Sequence, residues 1–306
     1  MGSQIVECVP NFSEGRNAET VRALLDAVQA VPGVALLDHT MDVDHHRAVL
    51  TFAGAPEAVS DAAFQAAKTA TALIDLRRHQ GGHPRVGATD VIPFVPLRGV
   101  TMKDCAAVAR QVGERIGREL GIPVFLYEQA AARPDRARLE TIRLGGLDGL
   151  AHRLATDPDW TPDFGPCRLH PTAGATVVGA RRILVAFNVN LKTTDLDVAK
   201  AVAQAVRQSS GGLAHVKAIG VPLAGRGLVQ VAMNLVNIEE TPVHVAFEAV
   251  RREAEQRGVR VAGSELIGLV PRQAVLQAEA GGIPIEAFDP SKVLETRLQQ
   301  AGLDGL

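Results

Sequence analysis

One succession of hydrophobic periodicities occurs twice in this chain, and that doubling restricts its possible folds more than any other feature. Residues 4–9 read as a short strand closed by Pro10, and residues 17–31 set Val21, Leu24, Leu25 and Val28 at the three- and four-residue spacing of an amphipathic helix. An apolar run at 34–37 follows Pro32 and Gly33, then a polar loop, then a β-rich run at 46–52 that stops near Gly54. Residues 56–74 are alanine-rich and helical, and 91–95 is strand-like after a glycine-rich loop. From residue 182 the order returns. It runs strand at 183–189, helix at 195–206, strands at 216–221 and 228–235 about a Gly225-Arg-Gly227 turn, helix at 243–256 and strand at 259–261.

A β-α-β-β-α-β unit folds as a small sheet with both helices on one face. The expected class is therefore α+β, with two related ferredoxin-like subdomains, 1–180 and 181–306. A length of 306 residues is ample for two such cores. Between the repeats the pattern predicts a helix at 102–120, a short strand at 124–126 and a helical stretch at 139–154. An extended linker at 157–166 follows, with prolines at 158, 162 and 166. The sheet face left bare by the helices must be covered in each half, and packing the halves around a ligand tunnel would cover both.

Charge and cysteine usage remove several classes of function. Lys+Arg 32 against Asp+Glu 34 leaves a net charge of −2, with no global positive field to hold a phosphate backbone, so nucleic acid is not an expected partner. Cys8, Cys105 and Cys167 are far apart and form no Cys-x-x-Cys pair, which argues against a disulfide framework and against a thiolate zinc site. The start of the chain has no basic region and reaches Glu7 before any apolar signal could form. Aliphatic stretches are only a few residues long, so no membrane partner is expected and a cytoplasmic location is.

Two polar clusters could carry chemistry. Asp42-Val-Asp-His-His-Arg47 is the densest, and it reads either as a solvated loop or, through Asp42, Asp44, His45 and His46, as a metal site. Adjacent His45 and His46 would point to opposite faces if they began a strand, which weakens the metal alternative. In His79-Gln-Gly-Gly-His83-Pro-Arg85 the glycines and Pro84 break any helix that would align the histidines, so the pattern suits a loop approaching a ligand. A loop histidine titrating near neutrality is the natural proton shuttle, although many loop histidines are merely exposed. Gly263-Ser-Glu lacks the second glycine of a nucleophile elbow, and the Gly225-Arg-Gly227 segment reads as a hairpin turn. Trp160 and Phe164 could stack on a flat ligand or clasp the two halves together.

Several longer stretches carry a resemblance. Val6-Glu-Cys-Val-Pro-Asn-Phe-Ser-Glu-Gly15, His83-Pro-Arg-Val-Gly-Ala, Pro162-Asp-Phe-Gly-Pro166, Gly174-Ala-Thr-Val-Val-Gly-Ala-Arg181, Ala186-Phe-Asn-Val-Asn-Leu191 and Gly263-Ser-Glu-Leu-Ile-Gly-Leu-Val-Pro271 all resemble segments of the glutamate formimidoyltransferases, or formiminotransferases. The likeness extends over nearly the whole chain and is to the monofunctional, bacterial type.

The resemblance implies transfer of the formimino group of N-formimino-L-glutamate to N5 of tetrahydrofolate, in histidine breakdown, with no metal and in a homodimer. It implies His83 as the proton shuttle. The folate-binding segment of the family falls on Gly165, Pro166, Cys167, Arg168, Leu169, His170, Pro171, Thr172, Ala173 and Gly174. Animal members place an aspartate, thought to assist the histidine, where this chain has Thr40. Asp44, close to the expected strand near His46, is then the candidate helper, with Asp42 the alternative. Arg47 is a candidate clamp for a substrate carboxylate, because a guanidinium binds carboxylates bidentately. The rival functions are formyl transfer between glutamate and tetrahydrofolate, folate binding without turnover, and metal-dependent hydrolysis.

Overall fold

Pro10 has no N–H to give to a ladder, and it interrupts the first strand. The computed structural model, which describes residues 4–81 and 84–303, resolves that strand into β1 (Ile5–Cys8) and β2 (Asn11–Phe12). Helix α1 (Ala18–Gln29) starts where the side chain of Asn17 accepts the N–H groups of Glu19 and Thr20, and it buries Val21, Leu24 and Val28 as the spacing predicts. Strands β3 (Val34–Asp42) and β4 (Arg47–Gly54) form a hairpin, followed by helix α2 (Pro56–Leu73) and strand β5 (Thr89–Arg98). Helix α3 (Met102–Leu120) begins with a reciprocal Thr101–Asp104 capping box and stops at Gly121, whose φ of 66° is left-handed. After β6 (Val124–Glu128), the predicted helical stretch divides into α4 (Leu139–Ile142) and α5 (Gly146–Thr156) at Gly145, whose φ is 75°. Strand β7 (Thr176–Ala180) follows, and the main stretch of the first unit runs to Arg181.

Among the described residues this unit holds one seven-stranded sheet. The broken strand β1/β2 lies between β4 and β5, antiparallel to both, and β3 flanks β4 on the outside. Beyond β5 the sheet turns parallel, through β7 and then β6. Sequence periodicity missed β7. Its five residues are all buried, so they show no alternation, and a short apolar run without alternation does not declare itself a strand.

The expectation of helices on one face only is corrected here. One core lies beneath α1, α2 and α3 and contains Val6, Cys8, Leu50, Phe52, Ile92 and Phe94. A second core, with Val91, Phe125, Tyr127 and Val177 from the strands and Ile142, Leu150 and Leu154 from α4 and α5, covers the other face. Parallel strands are stable when buried on both faces, and β5, β7 and β6 receive that cover from α4 and α5. Because Val6 and Cys8 point to the first core, Glu7 between them points to the opposite face, level with Ala53 and Val95.

The second unit runs from Arg182 to Gly302. It comprises β8 (Val185–Leu191), α6 (Leu196–Val206), β9 (Val216–Leu223), β10 (Leu228–Leu235), α7 (Val243–Glu255) and β11 (Val261–Ile267), then α8 (Arg272–Ala280) and α9 (Leu294–Gln300). The β-α-β-β-α-β order expected from the periodicity is the order observed. The strands lie as β11-β8-β10-β9, all antiparallel. Helices α6 and α7 pack on one another and cover a core of Phe187, Val189, Val231 and Leu235. The connection between β9 and β10 is a short 3-10 turn over Ala224–Arg226, closed by Gly227 at φ 64°. Among the described residues no helix is long and apolar enough to cross a membrane.

Candidate active site

The polar loop expected after Leu37 is shorter than predicted, because β3 continues to Asp42. Thr40 is a strand residue opposite Val49, and Asp42 lies opposite Arg47. Residues 43–46 make the turn, so neither His45 nor His46 begins a strand. His46 sits in the left-handed region at φ 51°. Its Nδ1 accepts the N–H of Gly15 at 3.1 Å and lies 3.7 Å from the Glu14 carboxylate. A side chain at residue 15 has no room, since a Cβ there would meet the carbonyl oxygen of Asp42 at 2.1 Å. The N-terminal motif is thereby packed against the hairpin turn.

Asp42 accepts the backbone N–H of His45 at 2.8 Å and lies 2.8 Å from its Nδ1. Burial acts upward on this carboxyl, but the bonds from His45 outweigh it and hold the group below the usual aspartate range. Asp44 is exposed at the tip of the turn, and its backbone also bonds to Asp42. Among the described residues, no group of three or more His, Cys, Asp or Glu side chains is placed to hold a metal ion.

The loop between α2 and β5 meets this turn. His79 is buried, its Nε2 donates to the carbonyl of His46 at 3.0 Å, and the two rings lie 4.1 Å apart. Burial drives the His79 imidazole down to about 4, with Arg85 and His46 pushing the same way. His79 is thus neutral at pH 7, and its bond to His46 ties this loop to the turn. Its Nδ1 is buried without a hydrogen-bond partner among the described residues. The guanidinium of Arg85 donates to the carbonyls of His79 at 2.7 Å and Gly81 at 3.4 Å, folding the loop back on itself. Gly81 packs on the turn so closely that a Cβ would meet the His45 carbonyl at 2.6 Å. His83, the expected shuttle, lies outside the described residues.

Asp90, at the start of β5, is 2% exposed. It accepts the N–H of Val86 at 2.7 Å and pairs with the guanidinium of Arg143, the residue that ends α4. Arg47 lies within electrostatic range of this pair. Burial lowers its basicity first and Arg143 adds to that, while Asp42 and Asp90 oppose. Burial does the same to Arg85, again with Asp90 opposing. Sequence reasoning missed Asp90 and Arg143. Asp90 had a signal, a lone acid beside the apolar run at 91–95, but Arg143 had none, since its partner is 53 residues away.

The segment 165–174 divides in two. Cys167 and Arg168 are exposed, and Gly165 takes a φ of 82°. From His170 the chain makes a tight turn in which His170 Nδ1 accepts the N–H of Ala173 at 3.0 Å and of Thr172 at 3.3 Å. The carbonyls of Thr172 and Ala173 accept Leu76 N–H and Ala88 N–H, each at 2.8 Å, so this turn is tied to both ends of the His79 loop. Gly174, at φ 70°, has the Val86 carbonyl 2.3 Å from where a Cβ would stand. Trp160 and Phe164 both pack within the first unit, Trp160 on Phe125 and under Arg153, and Phe164 against α3 and the backbone of Val124.

Another polar group escaped notice in the sequence. Glu7 is 5% exposed, and burial pushes its carboxyl up to about 7 against the opposing pull of Arg181. Arg181 also bonds to Tyr127, whose burial raises its hydroxyl to about 12.

The model of the formiminotransferase domain, N-terminal subdomain, matches residues 5–181, and that of the formiminotransferase domain matches residues 186–286. A glutamate formimidoyltransferase of Streptococcus pyogenes serotype M1 is 47% identical over 297 residues, covering 97% of this chain and 99% of that protein. One from Thermoplasma acidophilum is 44% identical over 298 residues, covering 97% and 98%. The formimidoyltransferase-cyclodeaminase of Sus scrofa is 46% identical over 284 residues, which are 91% of this chain and 52% of that longer protein.

Proposed function

The chain belongs to the formiminotransferase family, and on that premise we propose that the residues gathered around the β3–β4 turn serve the transfer of a formimino group. The protein is a transferase that moves this group from formiminoglutamate to tetrahydrofolate, in keeping with the name glutamate formimidoyltransferase given to relatives that match it nearly end to end. We assign N5 of the folate as the acceptor. N5 attacks the amidine carbon, a C–N bond forms, and the bond from that carbon to the glutamate nitrogen breaks. One proton leaves N5 and one reaches the departing amine.

His83 is the proposed carrier of that proton and Asp44 the carboxylate that steadies its cation. Arg47 is the proposed clamp for a donor carboxylate, and 165–174 the proposed folate-binding segment. One observation supports the grouping above the others: segments 14–15, 42–47, 76–81, 84–90 and 170–174 are joined by direct hydrogen bonds and close packing. No step of this route calls for a Lewis acid. The reaction belongs to histidine breakdown, in the cytoplasm, with a homodimer as the working form.

The test is a spectroscopic assay of the purified protein with tetrahydrofolate and either formiminoglutamate or formylglutamate. Turnover of the formimino donor is expected. Turnover of the formyl donor alone would replace the proposal with formyl transfer, and folate binding without turnover of either would leave a binding protein.

A further inference from the structure

Asp90 is buried and pairs with Arg143, and Arg47 and Arg85 lie within electrostatic range of it; Arg47 and Asp90 each stand one residue from the row in which Phe12 joins Ala48 to Thr89. The Nε atoms of all three are buried without a hydrogen-bond partner among the described residues. Arg85 spends its terminal nitrogens on the carbonyls of His79 and Gly81. Asp42, the cross-strand neighbour of Arg47, is bound to His45. Arg47 and Arg143 remain as two like charges at this end of the sheet, with Asp90 bonded to Arg143 and with burial first, then Arg143, lowering the basicity of Arg47. Two partly buried guanidinium groups brought together in this way are stable chiefly as a seat for an anion, and their planar forks match carboxylates.

We propose that Arg47 and Arg143 form a paired-guanidinium seat for the two carboxylates of the amino-acid donor, with Asp90 as the positioning residue that holds Arg143 in place. The inference rests on the formimino-transfer assignment and names the part of the donor this site selects. A glutamyl dicarboxylate also ends the folate, so the chemistry has two sources. In the donor a carboxylate is only a few bonds from the formimino carbon, whereas in folate an aryl spacer separates the glutamyl tail from N5. A seat at the β3–β4 turn, to which the His79–Arg85 loop is bonded, fits the shorter molecule. Arg143 is itself held from the far side, since Arg153 donates to the carbonyls of Ile142 at 2.8 Å and Leu144 at 2.6 Å.

Equilibrium binding of L-glutamate, glutarate and 4-aminobutyrate to the intact protein tests the seat, alongside binding of tetrahydrofolate and of a tetrahydropterin without a glutamyl tail. Wild type is expected to bind the two dicarboxylates more tightly than the monocarboxylate. Arg143→Met is expected to weaken L-glutamate by about 10- to 100-fold, the loss usual for one charge-assisted hydrogen-bonded pair, with tetrahydrofolate unaffected. Arg143→Lys should recover part of that loss, because it restores the charge but not the fork. Asp90→Asn should raise the donor KM more than it lowers kcat.

Equal wild-type affinity for monocarboxylate and dicarboxylates would overturn the proposal, and that measurement stands even if a variant fails to fold. Unchanged glutamate binding in folded Arg143→Met would overturn it too. So would a loss confined to tetrahydrofolate, with the tailless pterin unaffected, because the seat would then belong to the folate tail. Failure of wild type to turn over formiminoglutamate would instead remove the transfer assignment while leaving glutamate binding measurable.

Discussion

Glu7→Gln isolates the energetic cost of a buried acid. The carboxyl of Glu7 titrates near 7 in the folded chain against an ordinary 4.5, because burial disfavours its ionised form more than Arg181 favours it. Between those values the native protein keeps a proton that the unfolded chain releases. The stability this group contributes is therefore fully present below pH 4.5 and is lost as the pH rises through 7. At 1.36 kcal/mol per pKa unit, the loss is about 3 kcal/mol in all, most of it between pH 5 and pH 8. Glutamine has the same shape and does not titrate, so the variant should gain that amount on wild type across the window.

His79 runs the other way over much of the same range, since its imidazole is held down near 4 and the stability it gives is lost as the pH falls. Only the difference between variant and wild type therefore reports on Glu7. Trp160, the single tryptophan, lies in the first unit against Phe125, and its fluorescence in urea titrations follows the unit that contains Glu7. A stability difference that stays constant from pH 5 to pH 8, or one that grows toward acid, would refute the argument.

Further substitutions probe the site. His83→Ala should lower kcat by about 10²- to 10⁴-fold while tetrahydrofolate still binds, as measured by steady-state kinetics and folate titration; near-normal turnover would remove His83 from the mechanism. Asp44→Asn should lower kcat and shift the acidic limb of the pH–rate profile, with Asp42→Asn nearly silent; equal, small effects from both would turn attention to Glu14, which faces His46 at 3.7 Å. Gly174→Val is expected to destabilise the first unit by more than about 1 kcal/mol in urea unfolding, because the left-handed backbone and the Val86 carbonyl both exclude a side chain. The folate segment is better probed at exposed Arg168, where Arg168→Ala should weaken tetrahydrofolate and leave the urea midpoint unchanged.

Legibility in the sequence tracked periodicity and motif length. Helices α1, α3 and α7 were readable from the sequence pattern, and α3 has the predicted bounds. The second unit was readable because all four of its strands are antiparallel, with one face in the core and the other carrying polar residues such as Asn190 and Gln230. The first unit was harder. Its broken opening strand, the buried strand β7 and the second helical layer depend on pairings with distant segments. The polar residues divide the same way. His83 and Arg47 belong to dense local clusters, whereas Asp90 and Arg143 become a pair only through the fold. Glu7 stood in plain view inside a strand, but nothing in the sequence signalled how far burial would raise its carboxyl.

The position of β7 has a consequence for how the chain emerges during synthesis. Strand β6 is made before β7 yet lies beyond it, so β5 and β6 cannot meet and must wait, one strand's width apart, for residues 176–180. Until then each presents a bare row of N–H and C=O groups, the kind of edge on which chains stick to one another. Helix α3 can settle early on β5 and hold one side of the gap, but the slot closes only when the loop carrying 165–174 has turned back on Val86 and Ala88. A ribosome-bound chain halted before residue 176 would thus be an aggregation-prone intermediate, exposed at both edges until β7 has emerged to fill the slot.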